Sequence, residues 1–263
     1  MELEDILKSL KSEKITVSKA KKLLSLYSIE KIEKIANLDI GRKNRRGIPE
    51  VIFGENKKLV EIKKIIQQIL KKTNSVLISR VNKKDYSKLI EFVGKTNLKT
   101  RIGKNSTSIL IYKKPLKKMG GKVGIVTAGT SDIGVAEEAR LMCEAMNCIC
   151  IFSYDVGMAG IHRIFPILKK FTKNEIDVII VVAGMEGALA TLVSSLVDVP
   201  VIGVPTSVGY GYGEKGIAAL ASMLQSCALG LSVVNIDNGI GAGAVASNIA
   251  NRAYRKMLNV KKT

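Results

Sequence analysis

Three short segments hold residues whose types and spacing could do chemistry. The chain's one histidine, His162, stands between Asp155 and Arg163 in YDVGMAGIHR, a stretch opened up by Gly157 and Gly160. Imidazole titrates near neutral pH, so a histidine in a Gly-rich turn beyond an apolar run fits proton movement or substrate orientation; a structural histidine is the competing reading. Glu186 lies in AGMEGAL, flanked by Gly184, Met185 and Gly187, at the start of an apolar helical pattern. A helix start favours a carboxylate, whereas burial there would raise its pKa toward proton transfer. In TAGTSD, Thr130, Ser131 and Asp132 precede another helix, whose free N–H groups suit a phosphate or carboxylate, or need only a cap. That segment lacks the spacing of a dinucleotide fingerprint or a phosphate loop, which argues against a Rossmann dehydrogenase or a P-loop enzyme.

The remaining candidates are less local. GVPTSVGYGYGEKG carries Thr206, Gly209, Tyr210 and Tyr212 among alternate glycines and reads as a lid or binding loop. NIDNGIGAGAVA offers Asp237 and Asn238 before close helix packing. Cys227, in SMLQSCALG, ends a helix, where a thiol is not made acidic, so local pattern favours an ordinary buried thiol. Cys143, Cys148 and Cys150 read as reduced core thiols. Further upstream, Arg42, Lys43, Arg45 and Arg46 surround Asp39 in a Gly-rich turn, a candidate anion clamp or a solvated basic loop.

These residues need a scaffold that collects strand ends. From residue 121 onward, apolar runs at 122–127, 148–153, 177–182, 199–204 and 231–236 alternate with helical patterns starting near Asp132, His162, Gly187, Lys215 and Ala242. Such alternation predicts right-handed crossovers and an α/β domain with a three-layer parallel sheet. Ligands then bind beyond the carboxyl ends of the strands, where each candidate segment falls. Residues 1–120 read as a smaller basic α+β domain. Two short helices, with room for a third, cover residues 2–36 through Leu3, Ile6, Leu7, Leu10, Ala20, Leu23, Leu24 and Tyr27, with Ser18 as a cap. A strand at VIFG, helices at 56–72 and 84–92, and strands at 76–81 and 107–112 follow, then the linker KKPLKKMGG.

Charge separates the two parts. Residues 1–120 hold 30 Lys/Arg against 12 Asp/Glu (+18), and residues 121–263 hold 12 against 11 (+1). Cations attract phosphates of any kind, but lysines at helical spacing are the usual solvated face, and the absence of Trp weakens a base-stacking surface. No apolar run approaches the roughly 18–20 residues of a membrane span. The acidic, amphipathic amino terminus is unlike a secretory signal, so the expected location is cytoplasmic and no membrane partner is expected.

TAGTSDIGVAEEA followed by AGMEGALATLVSSLVDVPVIGVPTSVGYG resembles the PurE-like aminoimidazole ribonucleotide carboxylase superfamily, whose domain is flavodoxin-like. SYDVGMAGIHR, VVAGMEGALA, SCALGLSVVNIDNGIGAG and the basic RRGIPEVIFGENK are similar to one branch of it, the LarB family. The histidine-containing turn of the purine carboxylases is replaced here by Met185-Glu186-Gly187. The LarB resemblance implies carboxylation of the pyridinium C5 of nicotinic acid adenine dinucleotide with CO2 or bicarbonate, and hydrolysis of the phosphoanhydride to release AMP. The product would be pyridinium-3,5-biscarboxylic acid mononucleotide, for nickel-pincer cofactor assembly. It implies a nucleophilic role for Cys227, which adds to C4 of the ring, and proton or ring handling by Glu186 and His162. Thr130, Ser131 and Asp132 would line the ribose or phosphate pocket, Asp155 would orient His162 or assist hydrolysis, and Arg42, Arg45 and Arg46 would reach phosphates or a neighbouring subunit. It also implies a homo-oligomer, an octamer in the superfamily. No organic cofactor is expected, and Mg2+ is an expectation at the pyrophosphate. The alternatives are a purine-type ribonucleotide carboxylase or mutase, and a non-enzymatic nucleic-acid-binding protein using the basic domain.

Overall fold

The computed structural model describes residues 3–25, 29–32, 36–39, 41–118 and 120–260. Met1 and Glu2 of the acidic amino terminus, Tyr27 of the expected apolar stripe and Met119 of the linker lie outside the described residues. The chain divides into two compact units, one of Met1–Thr100 with Leu110–Lys114, the other of Arg101–Ile109 with Pro115–Thr263.

The first unit begins with α1 (Leu3–Lys11) and α2 (Val17–Leu24). Thr16, not Ser18, caps α2: its side chain accepts from the Lys19 amide at 3.2 Å, and Ser18 lies inside the first turn. In place of a third helix, β1 (Ile29–Ile32) and β2 (Ala36–Asp39) pair antiparallel. The Arg-rich segment forms a one-turn helix, α3 (Arg42–Arg46), ended by Gly47 in the left-handed region at φ 73°. Then come β3 (Val51–Phe53), α4 (Leu59–Lys72), β4 (Ser75–Ser79), α5 (Lys83–Gly94), β5 (Lys99–Ile102) and β6 (Ile109–Tyr112), with a sheet order β3-β4-β6-β5. α4 buries Ile62, Ile65, Ile66 and Ile69, a stripe at helical spacing, while the lysines between them stay toward water.

The second unit is the three-layer α/β domain. Its strands are β7 (Lys122–Thr127), β8 (Ile149–Ser153), β9 (Val178–Ala183), β10 (Val201–Pro205) and β11 (Leu231–Val233). They alternate with α6 (Ile133–Ala145), α7 (Ile164–Lys173), α8 (Ala188–Leu196), α9 (Ile217–Leu224) and α10 (Gly239–Val260). All four pairings are parallel, in the order β11-β10-β9-β7-β8. In β9, Val178, Ile180 and Val182 pack toward the alanines of α6 and α10, and Ile179, Val181 and Ala183 pack toward α7 and α8. A strand buried on both faces reads as a continuous apolar run, and so VIIVVA does. The helix layer closes tightly because α10 uses glycine against α6: a Cβ on Gly243 would stand 2.6 Å from the Ala139 carbonyl. The order reverses at β7, since the chain first adds β8 on one side and then β9 on the other. Reversal sends the two crossovers to opposite faces, which leaves a crevice above the ends of β7 and β9.

Candidate active site

That crevice is a cleft of about 330 Å3 lined by the ends of β7, β8 and β9 and by Val208 beyond β10. Ser131, Asp132, Asp155, Gly157, Arg163, Gly184, Met185 and Glu186 meet there, joined by Ala128, Gly129, Met158 and Ala159.

Thr130, Ser131 and Asp132 form one 3-10 turn entering α6. Asp132 is buried, its Oδ2 accepting from the Gly129 amide at 2.9 Å and its Oδ1 from the Thr206 hydroxyl at 2.6 Å. Burial raises its pKa above the usual carboxylate range; the Thr206, Gly129 and Gly184 donors work downward, and the charge of Asp237 adds to the rise. The group is therefore anchored through both carboxylate oxygens.

The turn after β9 is forced outward by its backbone. Met185 has φ 52° and Gly187 φ 67°, and the Met185 amide donates to the Val208 carbonyl at 2.8 Å. A Cβ on Gly184 would come 2.2 Å from that same carbonyl, so the close approach requires glycine. Glu186 consequently faces the cleft and is exposed. After β8, Asp155 takes φ 61°, its amide donating to Thr127 Oγ1 at 3.0 Å, and its carboxylate pairs with Arg163 at 3.3 Å. His162 is exposed in the 3-10 turn Met158–Arg163, kinked at Gly160, and does not line the cleft. The Asp155 carboxylate thus meets Arg163; the sequence reading had it orient His162 or assist hydrolysis.

The Gly/Tyr loop leaves Tyr210 81% and Tyr212 fully exposed. Its root is tied down, because the Ser207 amide donates to Asp237 Oδ1 at 2.8 Å and the Asp237 amide donates to the Pro205 carbonyl at 2.9 Å. Asn238 is used as a helix cap: its Oδ1 accepts from the Gly241 amide at 2.8 Å and its carbonyl from Ala242. Cys227 is exposed on the segment between α9 and β11 and is not part of the cleft lining. The segment rests on α8, where Thr191 Oγ1 bonds Ser226 Oγ at 2.9 Å and Ser194 donates to the Leu229 carbonyl at 3.2 Å. Thr191 is one helical turn beyond the cleft-lining Ala188. Cys143 and Cys148 are buried, and burial pushes the Cys148 thiol up to about 11.

In the first unit, two of the candidate arginines already face carboxylates: Arg42 pairs with Glu50 at 3.2 Å, and Arg45 pairs with Asp39. Arg46 is exposed.

Sequence reasoning missed Glu137, which sits one turn into α6 and is buried. Its carboxylate receives Arg140 Nε at 2.9 Å and Nη2 at 2.6 Å, the Lys104 amide at 3.0 Å and the Tyr154 hydroxyl. Tyr154 directly precedes Asp155, so this carboxylate braces the β8 side of the cleft. In sequence it is one of three glutamates on a helix, and only burial distinguishes it from a solvated one.

Among the described residues, no group of three or more His, Cys, Asp and Glu could hold a metal ion, and no helix is long and apolar enough to cross a membrane. The cleft carboxylates fit Mg2+ poorly, since Asp132 is engaged by three donors and Asp155 by Arg163.

The AIR carboxylase family profile matches residues 122–262, and the profile of a LarB/PurE-like N-terminal domain matches residues 29–108. An uncharacterized protein of Methanocaldococcus jannaschii is 46% identical over 258 residues, 96% of this chain and 98% of its own. The N5-carboxyaminoimidazole ribonucleotide mutase of Thermotoga maritima is 29% identical over 137 residues, 51% of this chain and 77% of its own. That of Pyrococcus horikoshii is 30% identical over 137 residues, 50% of this chain and 73% of its own.

Proposed function

This chain belongs to the LarB branch of the PurE-like AIR carboxylase family, and from that premise we propose that it carboxylates C5 of the pyridinium ring of nicotinic acid adenine dinucleotide and hydrolyses the phosphoanhydride. A carboxylase-type function follows from the family; the substrate is our reading. The observation that carries it is the LarB/PurE-like N-terminal domain joined to a cleft whose third-strand turn presents Glu186.

A cationic pyridinium cannot attack CO2, because its carbons are electron-poor. Addition of the Cys227 thiolate to C4 converts the ring to a dihydropyridine whose C5 is the nucleophilic carbon of an enamine. C5 then bonds to CO2, the C5 proton leaves, and expulsion of the thiolate restores the aromatic cation. Water adds to the phosphoanhydride, and the products are pyridinium-3,5-biscarboxylic acid mononucleotide and AMP.

The ring would lie toward α8, between Glu186 and the 226–229 segment, with the ribose and phosphates over Ser131 and Asp132 at the start of α6, whose N-terminus favours anions. Of the two candidates for the C5 proton, Glu186 lines the cleft and His162 does not, so the role goes to Glu186. Cys227 stands outside the cleft of its own chain, and the homo-oligomer, an octamer by superfamily resemblance, belongs to the same proposal as the means of enclosing ring and thiol together. Exposed Leu196, Leu224 and Leu229 around that segment support burial by another copy.

Incubation of the pure protein with nicotinic acid adenine dinucleotide and labelled bicarbonate tests the reading. Ring-bound label with stoichiometric AMP is expected, and the absence of both would sink it. The mutases keep a second reading open, a ribonucleotide carboxylase or mutase, although their similarity spans about half of this chain. Turnover of N5-carboxyaminoimidazole ribonucleotide would favour it.

A further inference from the structure

The side chains lining the cleft offer little positive charge to a dinucleotide. Its lining carries the carboxylates of Asp132, Asp155 and Glu186 and one cation, Arg163, already paired with Asp155. A phosphoanhydride brings two more negative charges into that field, and like charges in a partly desolvated cleft repel strongly. A further cation for the phosphates would come from beyond the lining.

The segment Arg101–Ile109 of the same unit brings one to the right end of α6. Its turn is fastened along the helix: the Lys104 amide donates to Glu137 Oε2 at 3.0 Å, the Ser108 hydroxyl to Glu138 Oε1 at 3.2 Å, and Arg140 Nη2 to the Ile102 carbonyl at 3.4 Å. At Gly134 the approach is closest, since a Cβ there would stand 2.6 Å from the Asn105 carbonyl. Gly134 follows Ser131 of the cleft by three residues, and such positions are neighbours on a helix surface. Asn105, at φ 53°, turns the chain back over this first turn. Lys104 is exposed, and among the described residues its ammonium has no ion pair; only its backbone is engaged. Arg101, the other cation of the turn, is held on Glu144 in the last turn of α6 and points the wrong way.

We infer that Lys104 is a specificity-determining residue of the cleft, its ammonium meeting the phosphoanhydride of the dinucleotide where it leaves the cleft over Ser131. The inference rests on the dinucleotide reading above. It assigns to a turn preceding the carboxylase-like half the task of telling a dinucleotide from a mononucleotide.

Calorimetric binding of nicotinic acid adenine dinucleotide and of nicotinic acid mononucleotide should be compared for the wild-type protein, Lys104→Ala and Lys104→Arg. A charge-assisted hydrogen bond to phosphate predicts that Lys104→Ala weakens dinucleotide binding about 10-fold and raises KM in step, with kcat and Tm unchanged. Mononucleotide affinity should stay the same, and Lys104→Arg should restore the dinucleotide preference. Equal dinucleotide affinity in the wild-type protein and Lys104→Ala overturns the inference alone, as does an equal loss for both ligands. Absence of dinucleotide binding by the wild-type protein overturns the inference together with the reading beneath it.

Discussion

The hydroxyl of Thr206, at the end of β10, donates to Oδ1 of Asp132, beyond the end of β7, at 2.6 Å, and both residues are buried. The bond joins the root of the Gly/Tyr loop to the turn that enters α6. Thr206→Val keeps the shape and removes the donor, leaving a buried carboxylate oxygen unmet, so stability should fall by about 1–3 kcal/mol. Thr206→Ser should recover most of the loss. Asp132 already has a raised pKa, so the folded state binds its proton more tightly than the unfolded one, and stability from this group declines as pH rises through the folded value. Removing Thr206 takes away a downward influence on that pKa. The Thr206→Val deficit should therefore widen from acid to neutral pH in urea titrations, and a deficit that narrows would contradict the assignment.

Glu137 behaves in the opposite sense. Burial alone would raise its pKa, but Arg140, Tyr154 and the Lys104 amide outweigh it and hold the carboxyl below its usual range. Stability from a depressed carboxylate is fully present above the unfolded value and is lost as pH falls through the folded one. Glu137→Gln should cost about 3 kcal/mol at neutral pH, the scale for removing one partner of a buried ion pair. Its unfolding curve should approach that of the wild-type protein on acidification below the ordinary carboxylate range. Tyr154→Phe, which deletes a single donor, should cost less and leave the acid dependence in place.

Periodicity carried the carboxyl half because its strands are buried on both faces and its helices on one, which writes apolar runs and helical stripes directly into the chain. The predicted run at 177–182 is the strand Val178–Ala183, and 122–127 is unchanged as Lys122–Thr127. The run at 231–236 is shorter than predicted: Leu231–Val233 ends early because the chain turns toward Asp237, at φ 56°, to brace Ser207. In the first part, Lys99–Ile102 went unseen, since three of its four residues are exposed and show no alternation. Ile29–Ile32 and Ala36–Asp39 also went unread as strands, being four residues each and without a turn of recognisable chemistry between them. At the site, strand-end positions were legible, but partners were not. Nothing in YDVGMAGIHR tells that Asp155 meets Arg163 and leaves His162 outside, because a left-handed residue and a kink at Gly160 decide it.

Glu186 and His162 can now be separated by experiment. Glu186 faces the cleft and His162 is exposed beside it, outside the lining. If the carboxylate takes the C5 proton, Glu186→Gln should lower kcat about 100-fold or more, the range of general-base loss, with dinucleotide binding retained. His162→Ala should retain turnover close to that of the wild-type protein. A larger loss in His162→Ala than in Glu186→Gln would reassign the proton to the imidazole.

Four thiols allow the proposed nucleophile to be marked chemically. Cys227 is exposed, Cys143 and Cys148 are buried, and Cys150 is only partly open, its thiol pushed up by the neighbouring Cys143 and by burial. Reactivity follows access and thiolate content, so limiting iodoacetamide should label Cys227 first, and peptide mapping should show the three others spared. Saturating nicotinic acid adenine dinucleotide should protect Cys227 if the thiol meets the ring. Cys227→Ser should abolish carboxylation while changing unfolding stability by less than about 0.5 kcal/mol, as expected for an exposed side chain. Should Cys227→Ser and Cys227→Ala both turn over normally, covalent addition at C4 is excluded, and activation of the ring would have to come from a group of the cleft itself.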